Sequence, residues 1–229
     1  MKRFFGAVAV LLFGVVLWGV ATGYAERGAP SELAMRYLAE VPADLGAANV
    51  VTGILITYRG FDTLGEVAVL FMVAATVGLL LGGESRGTSA ASRPASRPPS
   101  ELVSNGAEVV LPVIFLFGTY VIVNGHLSAG GGFQGGAVVA SAVGLMVLAR
   151  PSAVLDHGFL SIAESLAGVL YVATGILGLI LAGGFLDSRF LPPGVFGAFV
   201  SAGAIPLISA LLGIKVGAEL SVIIDRFRS

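Results

Sequence analysis

Lys215 and Glu219 stand four residues apart in "GIKVGAELS", within a run otherwise too apolar to be at home in water. Four residues is about one helical turn, so an ammonium and a carboxylate share one helix face there. Glu164 lies in a second apolar run, "LSIAESLAG", and the only other lysine of the chain is Lys2. An ionised side chain at the centre of a membrane span costs about 2.5–3.5 kcal/mol on insertion scales, so such groups pair, line water or stay neutral. An ammonium between two carboxylates is a satisfied buried cluster, and with water in reach it also relays protons. The competing reading is a static ion-pair network that fixes how two helices pack. Asp62 and Glu66 in "GFDTLGE" and His126 in "NGHLSAGGGFQGG" are further candidates for an ion path. Thr63 and Glu66 have the spacing of a capping box, and capping at a helix start is the favoured role for Asp62 and Glu66. For His126 a hydrogen bond at a helix end is the plainer reading.

These groups need elements to hold them. The chain has 229 residues, 56% hydrophobic and 12% charged, with a net charge of −1; its mean hydropathy is +0.94. A soluble domain is typically about 25% charged, so the surface here must face lipid or apolar protein. The expected class is an all-α polytopic membrane protein. Nothing in the charge suggests nucleic acid. The absence of cysteine rules out disulfides, thiolate-bound clusters and cysteine nucleophiles within this chain. No cofactor and no metal site is expected in it.

A helix needs about 20 mostly apolar residues to cross the hydrocarbon core. Six runs qualify: Phe4–Thr22, Leu64–Gly83, Glu108–Val123, Gly135–Ala149, Phe159–Gly183 and Phe196–Ile224. The first is longer than the apolar part of a signal peptide and lacks a small-x-small cleavage site, so it reads as a span. Pro30–Leu45 suits a short surface helix. Val50–Tyr58, rich in β-branched residues and too short to cross, is expected to be extended and outside the membrane before the second span. Pro206 predicts a kink near Ala202–Pro206 in the last span, because proline removes a helical hydrogen bond. Residues 84–106 are rich in Ser, Pro and Arg and read as a linker. They divide the chain into a two-span part, 1–83, and a four-span part, 107–229.

Six spans place both termini on one side. With that side cytoplasmic, eight basic residues lie inside (Lys2, Arg3, Arg86, Arg93, Arg97, Arg150, Arg226 and Arg228) and four outside (Arg27, Arg36, Arg59 and Arg189). That distribution follows the positive-inside rule and suits a cell membrane. Counting helical rise from the expected cytoplasmic ends puts Glu164 about 9 Å, Lys215 about 13 Å and Glu219 about 8 Å into the membrane. The trio thus falls at similar heights in the inner half.

The glycine-rich stretch joins the third and fourth spans on the outer side. It lacks the Lys-Ser/Thr of a phosphate loop and the strand before it. Gly130, Gly131, Gly132, Gly135 and Gly136 instead suit a tight turn and close helix approach. As a whole, "GHLSAGGGFQGG" resembles the signature of the B subunit of multisubunit Na+/H+ antiporters (Mrp/Mnh type), which also occurs in membrane-bound hydrogenases. "SAGAIPLISALLGIKVGAELS" is similar to the final helix of that family. "NVVTGILITYRGFDTLGEVAVLF" resembles the E subunit of membrane-bound hydrogenases and the C-terminal end of the A subunit of the antiporters. Ala129 stands where the family usually has proline, which implies a less rigid turn. The resemblance implies two subunits joined through residues 84–106. It also implies a non-catalytic membrane subunit of a cation/proton antiporter module, with other integral membrane subunits as partners and H+ and Na+ as the transported ions. Two alternatives accompany it: a membrane-arm component of an ion-pumping hydrogenase or related ferredoxin-oxidising complex, and a purely architectural role.

Overall fold

The computed structural model describes residues 2–25, 28–82 and 100–228, and among these the protein is all-helical apart from an isolated bridge between Gly194 and Ser201. Among the described residues six helices are long and apolar enough to cross a membrane. They are α1 (Lys2–Gly23), α4 (Gly60–Gly82), α5 (Glu101–Val123), α6 (Gly132–Ala149), α7 (His157–Ala182) and α8 (Ile205–Arg228). Two shorter helices, α2 (Glu32–Glu40) and α3 (Val50–Gly53), each run on into a π-helical turn, Val41–Leu45 and Ile54–Tyr58. Packing divides the chain into Met1–Arg36 and Tyr37–Ser229. The first unit carries α1, a single apolar helix. In the second, α4 and the segment before it belong to the same compact body as α5–α8.

Within that body α8 is the enclosed helix: 67% of its spanning stretch is buried, against 28% for α7 and 6% for α4. Residue pairing gives the directions. Gly132 lies against Ser209 and Leu212, Gly136 against Gly213, and Gly144 against Ile224, so α6 runs parallel to α8. Phe71 beside Lys215 and Gly78 beside Arg226 make α4 parallel to it as well. Glu108 pairs with Arg150, and His157 with Asp225, so α5 and α7 run the other way. From α4 to α8 the directions therefore alternate, as successive crossings require. One end of the body gathers the turn between α5 and α6, the loop 183–204 and the segment 41–59; the other gathers Asp225, Arg226 and Arg150.

Gly136 shows how close α6 and α8 come. A Cβ there would lie 2.9 Å from the Gly213 carbonyl oxygen and 3.0 Å from Gly217 N, both backbone atoms that cannot yield singly. Gly136→Val is expected to force the helices apart and lower stability by about 1–3 kcal/mol, the usual cost of overpacking. Gly65 has nothing within 4 Å of the same position, so Gly65→Ala should be neutral or slightly stabilising. Thermal unfolding of the purified protein in detergent compares the two.

The structure corrects four expectations. Val50–Tyr58 is helical, not extended. Asn49 caps α3 by accepting from Thr52 N, and Thr52, Gly53, Ile56 and Thr57 are buried. With no strand beside them among the described residues, a helix is what satisfies their backbone groups, and tertiary burial overrides β-branched propensity. The chain bends by 79° between the helical segments on either side of residues 46–49. Second, the capping box at Thr63 and Glu66 does not form: α4 starts at Gly60, and the Thr63 hydroxyl reaches back to donate to the Leu55 carbonyl at 2.7 Å. Third, the last span begins at Ile205, so Pro206 sits in the first turn of α8, where no N–H is required and no kink results. Residues 183–204 form a loop instead, with Leu186 and Ala202 fully buried. Fourth, Ser100 caps α5 through Val103 N and the helix begins at Glu101, so 101–106 are helix; residues 84–99 of the expected linker lie outside the described residues. The surface helix at 30–45 is present as α2 and its extension, but Val41 and Leu45 at its end are buried.

Candidate functional site

Three helices converge on Lys215. Its Nζ donates to Glu164 Oε1 of α7 at 3.2 Å and to Glu219 Oε2 of its own helix at 3.2 Å. It also lies 5.7 Å from the centroid of the Phe71 ring of α4, a cation–π contact. Gly168 on α7 leaves room for the lysine stem, whose Cδ would be 3.6 Å from a Cβ there. The trio read from spacing is therefore assembled. Its members sit deeper than counting from the sequence suggests, because α7 and α8 extend further at the Asp225 end. Glu164 is seven residues from His157, about 10 Å; Lys215 and Glu219 are twelve and eight residues from Phe227, about 18 and 12 Å. Lys215 is at mid-span.

Burial grades the three. Glu219 has no exposed surface, and one of its carboxylate oxygens, Oε1, has no hydrogen-bond partner. The Lys215 side chain is 8% exposed and that of Glu164 17%. Glu164 and Lys215 form part of the wall of a cleft of about 580 Å³ that also meets Phe71, Ser165 and Val172. With all three ionised the trio carries one excess negative charge. A low-dielectric site holds such a charge only with a cation beside it, a proton or a metal ion. About 10 Å further along α7, seven residues on, the buried Tyr171 hydroxyl likewise has no partner.

The remaining candidates lie elsewhere. Asp62 pairs with Arg59 in the exposed first turn of α4. Glu66 is exposed one turn later and lines a second cleft, of about 790 Å³, with Gln134 and Phe133. It is not part of the trio. His126 is fully buried, and its Nε2 lies 3.1 Å from the Phe199 carbonyl, which can only accept, so Nε2 carries the proton. The other ring nitrogen has no partner. Gly130 and Gly131 adopt φ of 127° and 144°, as a glycine turn requires. Gly132 and Gly136 pack on α8 and Gly135 on α5. In the loop nearby, burial pushes the Asp187 carboxyl up, but the guanidinium and backbone N–H of Arg189 both bond it and leave it below its ordinary value. Among the described residues no group of three acidic, His or Cys side chains could hold a metal ion.

Two features escape the sequence reading. Asn49 organises the glycine turn: its Nδ2 donates to the carbonyls of Gly125 and Ser128 at 2.8 and 2.7 Å. Asp225, 3% exposed, pairs with His157 Nε2 at 2.8 Å where α7 begins and α8 ends. A signal for it exists, since Asp225 continues the buried seven-residue stripe of Leu211 and Ala218.

Residues 102–222, which include Glu164, Lys215 and Glu219, match a family described as a domain related to the MnhB subunit of Na+/H+ antiporter. The chain belongs to this MnhB-related family. Residues 1–95 match a second family, the E subunit of MBH. Both resemblances read from the motifs are thus confirmed. An uncharacterised protein of Methanocaldococcus jannaschii is 32% identical over 196 residues, covering 76% of this chain and 74% of its own. A probable K+/H+ antiporter A/B subunit of Rhizobium meliloti is 31% identical over 141 residues, 53% of this chain but only 14% of that protein. A chain of the membrane-bound sulfane sulfur reductase, an archaeal respiratory membrane complex, superposes with a TM-score of 0.80 at 36% identity, over 99% of this chain and 97% of that one. A chain of the Mrp complex from Dietzia sp. DQ12-45-1b shares the fold, with a TM-score of 0.75 at 23% identity over 98% of this chain and 26% of its own length. Family and span count together make this MnhB-related chain a multi-pass membrane component of an antiporter-like complex.

Proposed function

We propose that this protein supplies a mid-membrane ion station to a monovalent cation/proton antiporter module, with Glu164, Lys215 and Glu219 as the exchanging groups. The observation that carries the reading is one buried lysine set between two carboxylates, together with the unpartnered Glu219 oxygen, beside a cleft on the outside of the chain. A site that needs one cation takes a proton or a Na+ in turn, and the lysine holds the second carboxylate meanwhile. Other membrane subunits cover the cleft and complete the path. The two termini lie in the cytoplasm, in line with the eight basic residues assigned to that side. No catalytic residue is assigned.

A second reading has its own support. The match of residues 1–95 to the E subunit of MBH and the end-to-end superposition on a chain of a respiratory membrane complex favour a membrane arm driven by a redox unit. In that setting the same trio serves the pumping arm.

Lys215→Ala in the native complex, reconstituted into vesicles, tests the station. NaCl and KCl pulses should drive proton movement at a rate, per complex recovered, lower by about tenfold or more, as loss of a proton-transfer group usually gives. Lower complex yield with an unchanged rate per complex would make the trio architectural. The co-purifying subunits separate the two readings: nickel- or iron–sulfur-bearing proteins support the redox arm.

A further inference from the structure

We propose that His157 and Asp225 form a proton-exchange site at the membrane surface, which passes protons between water and the buried trio. This rests on the ion-station reading and adds the terminal through which that station is filled. The pair joins two very different environments. His157 is the first residue of α7, and its side chain is 52% exposed; that of Asp225 is 4% exposed. A hydrogen bond of 2.8 Å between Nε2 and Oδ2 therefore spans the boundary between solvent and the helix interface. Imidazole is the side chain whose ordinary titration falls in the physiological range, and its two nitrogens let a proton enter on one side and leave on the other.

The pair is aligned with the trio. Seven residues separate His157 from Glu164 on α7, and six separate Glu219 from Asp225 on α8, about 10 and 9 Å of helix. The contacts His157–Asp225 and Glu164–Lys215 both bridge α7 and α8, with Glu219 and Asp225 turned about 120° apart around α8. The nearest trio member is Glu219, whose Oε1 is buried and has no partner. It is the acceptor at the inner end of the interval. Nδ1 of His157 takes a proton from water, and the Nε2 proton moves to the Asp225 carboxylate, leaving a neutral ring of the other tautomer. Asp225 then releases that proton through intervening water to Glu219, and rotation of the ring resets the pair.

Other charged groups also stand at this end. Asp156 caps α7 by accepting from Phe159 N at 3.0 Å. Arg226 lies against Gly78 of α4. Arg150 of the α6 terminus is paired with Glu108 of α5 at 2.8 Å. Glu101 stands exposed in the first turn of α5. His157 is the imidazole among these groups.

The test uses the complete complex in vesicles, with flux driven by NaCl or KCl pulses and read per complex. His157→Gln keeps a hydrogen bond to Asp225 but carries no exchangeable ring proton, and should lower the rate by about tenfold or more. His157→Ala should be slow in the same way, and imidazole buffer on the face bearing residue 157 should restore much of its rate. Buffer on the other face should not. A structural role would not respond to imidazole. Should Lys215→Ala be slow while His157→Gln runs at the wild-type rate, the station stands and the surface site is overturned. Should Lys215→Ala run normally, the station itself falls. If His157→Gln does not assemble, Asp225→Asn carries the same measurement; a wild-type rate in it overturns the proposal.

Discussion

Lys215→Met should lower the stability of the helix body by about 3–5 kcal/mol at neutral pH, the usual cost of removing one partner from a buried ion pair. The cost arises from what remains. Glu219 has no exposed surface, and with the ammonium gone neither of its oxygens has a donor, so its charge is held unpaired or is lost to a proton, at a cost either way. Glu164 loses the same partner, but its side chain is 17% exposed and suffers less. The double variant Lys215→Met with Glu219→Gln removes the orphaned charge, and buried pairs replaced by neutral groups of similar volume are often as stable as before. Most of the loss should therefore be recovered. Thermal unfolding of the purified complex in detergent distinguishes these cases, with the single variant lower by on the order of 10 °C and the double variant near wild type. An equal loss in both would show that the lysine stem matters through packing against Gly168 and Phe71 and that its charge is secondary. The double variant keeps the net charge of −1, now on Glu164 alone, but loses the lysine and the buried carboxylate that would exchange, so it should be stable and yet transport poorly. That combination separates holding helices together from moving ions.

The charged trio is legible in the sequence because two rules act on few residues. Charges are rare in spans, and a four-residue interval puts Lys215 and Glu219 on one face. Glu164 joins them through height alone, since antiparallel neighbours bring equal depths together. The spans are legible from length and apolarity, which is why α4, α6 and α7 start within four residues of where hydropathy places them, whereas α5 reaches back seven residues further. The errors share a cause. Local propensity makes Val50–Tyr58 extended, but its conformation is set by Asn49 and by burial beside Leu45 and Ala47, contacts that no local pattern contains. Spacing assigns Thr63 to its own helix terminus, whereas the nearer acceptor is the Leu55 carbonyl of the preceding π-helical turn. Hydropathy puts Pro206 inside a span because residues 196–204, the end of the loop, carry no charge and are mostly apolar. Here the structure shows backbone hydrogen bonds, such as Ala204 N to Ser188 O, closing the loop on itself. Asp225 has the look of an ordinary polar helix end, although its seven-residue register with Ala218 marks the buried face.

Asn49→Ala should be the most damaging single change at the opposite end of the body, with a loss of about 2–4 kcal/mol from carbonyls left without donors. The reason is the number of main-chain groups that depend on one amide. Asn49 Nδ2 donates to Gly125 O and Ser128 O, and it also reaches the Thr52 hydroxyl at 2.8 Å. The Thr52 hydroxyl in turn donates to Gly130 O at 3.0 Å, and Asn49 Oδ1 accepts from Thr52 N. The backbone N–H of Asn49 donates to His126 O at 3.0 Å. One side chain thus caps α3 and closes the turn whose glycines let α6 approach α8. Alanine keeps only the backbone bonds, that to His126 O and that from Gly53 N to Asn49 O. Asn49→Asp should be at least as harmful, because a carboxylate accepts but does not donate and would face the carbonyls of Gly125 and Ser128 directly. Asn49→Asp nevertheless retains the cap of α3, so hydrogen exchange separates the two functions: the amides of residues 125–131 should exchange faster in both variants, those of residues 50–53 only in Asn49→Ala. Slow exchange at 125–131 in both would mean that the glycine turn holds its shape without Asn49, and that the close packing at Gly132 and Gly136 is what fixes it.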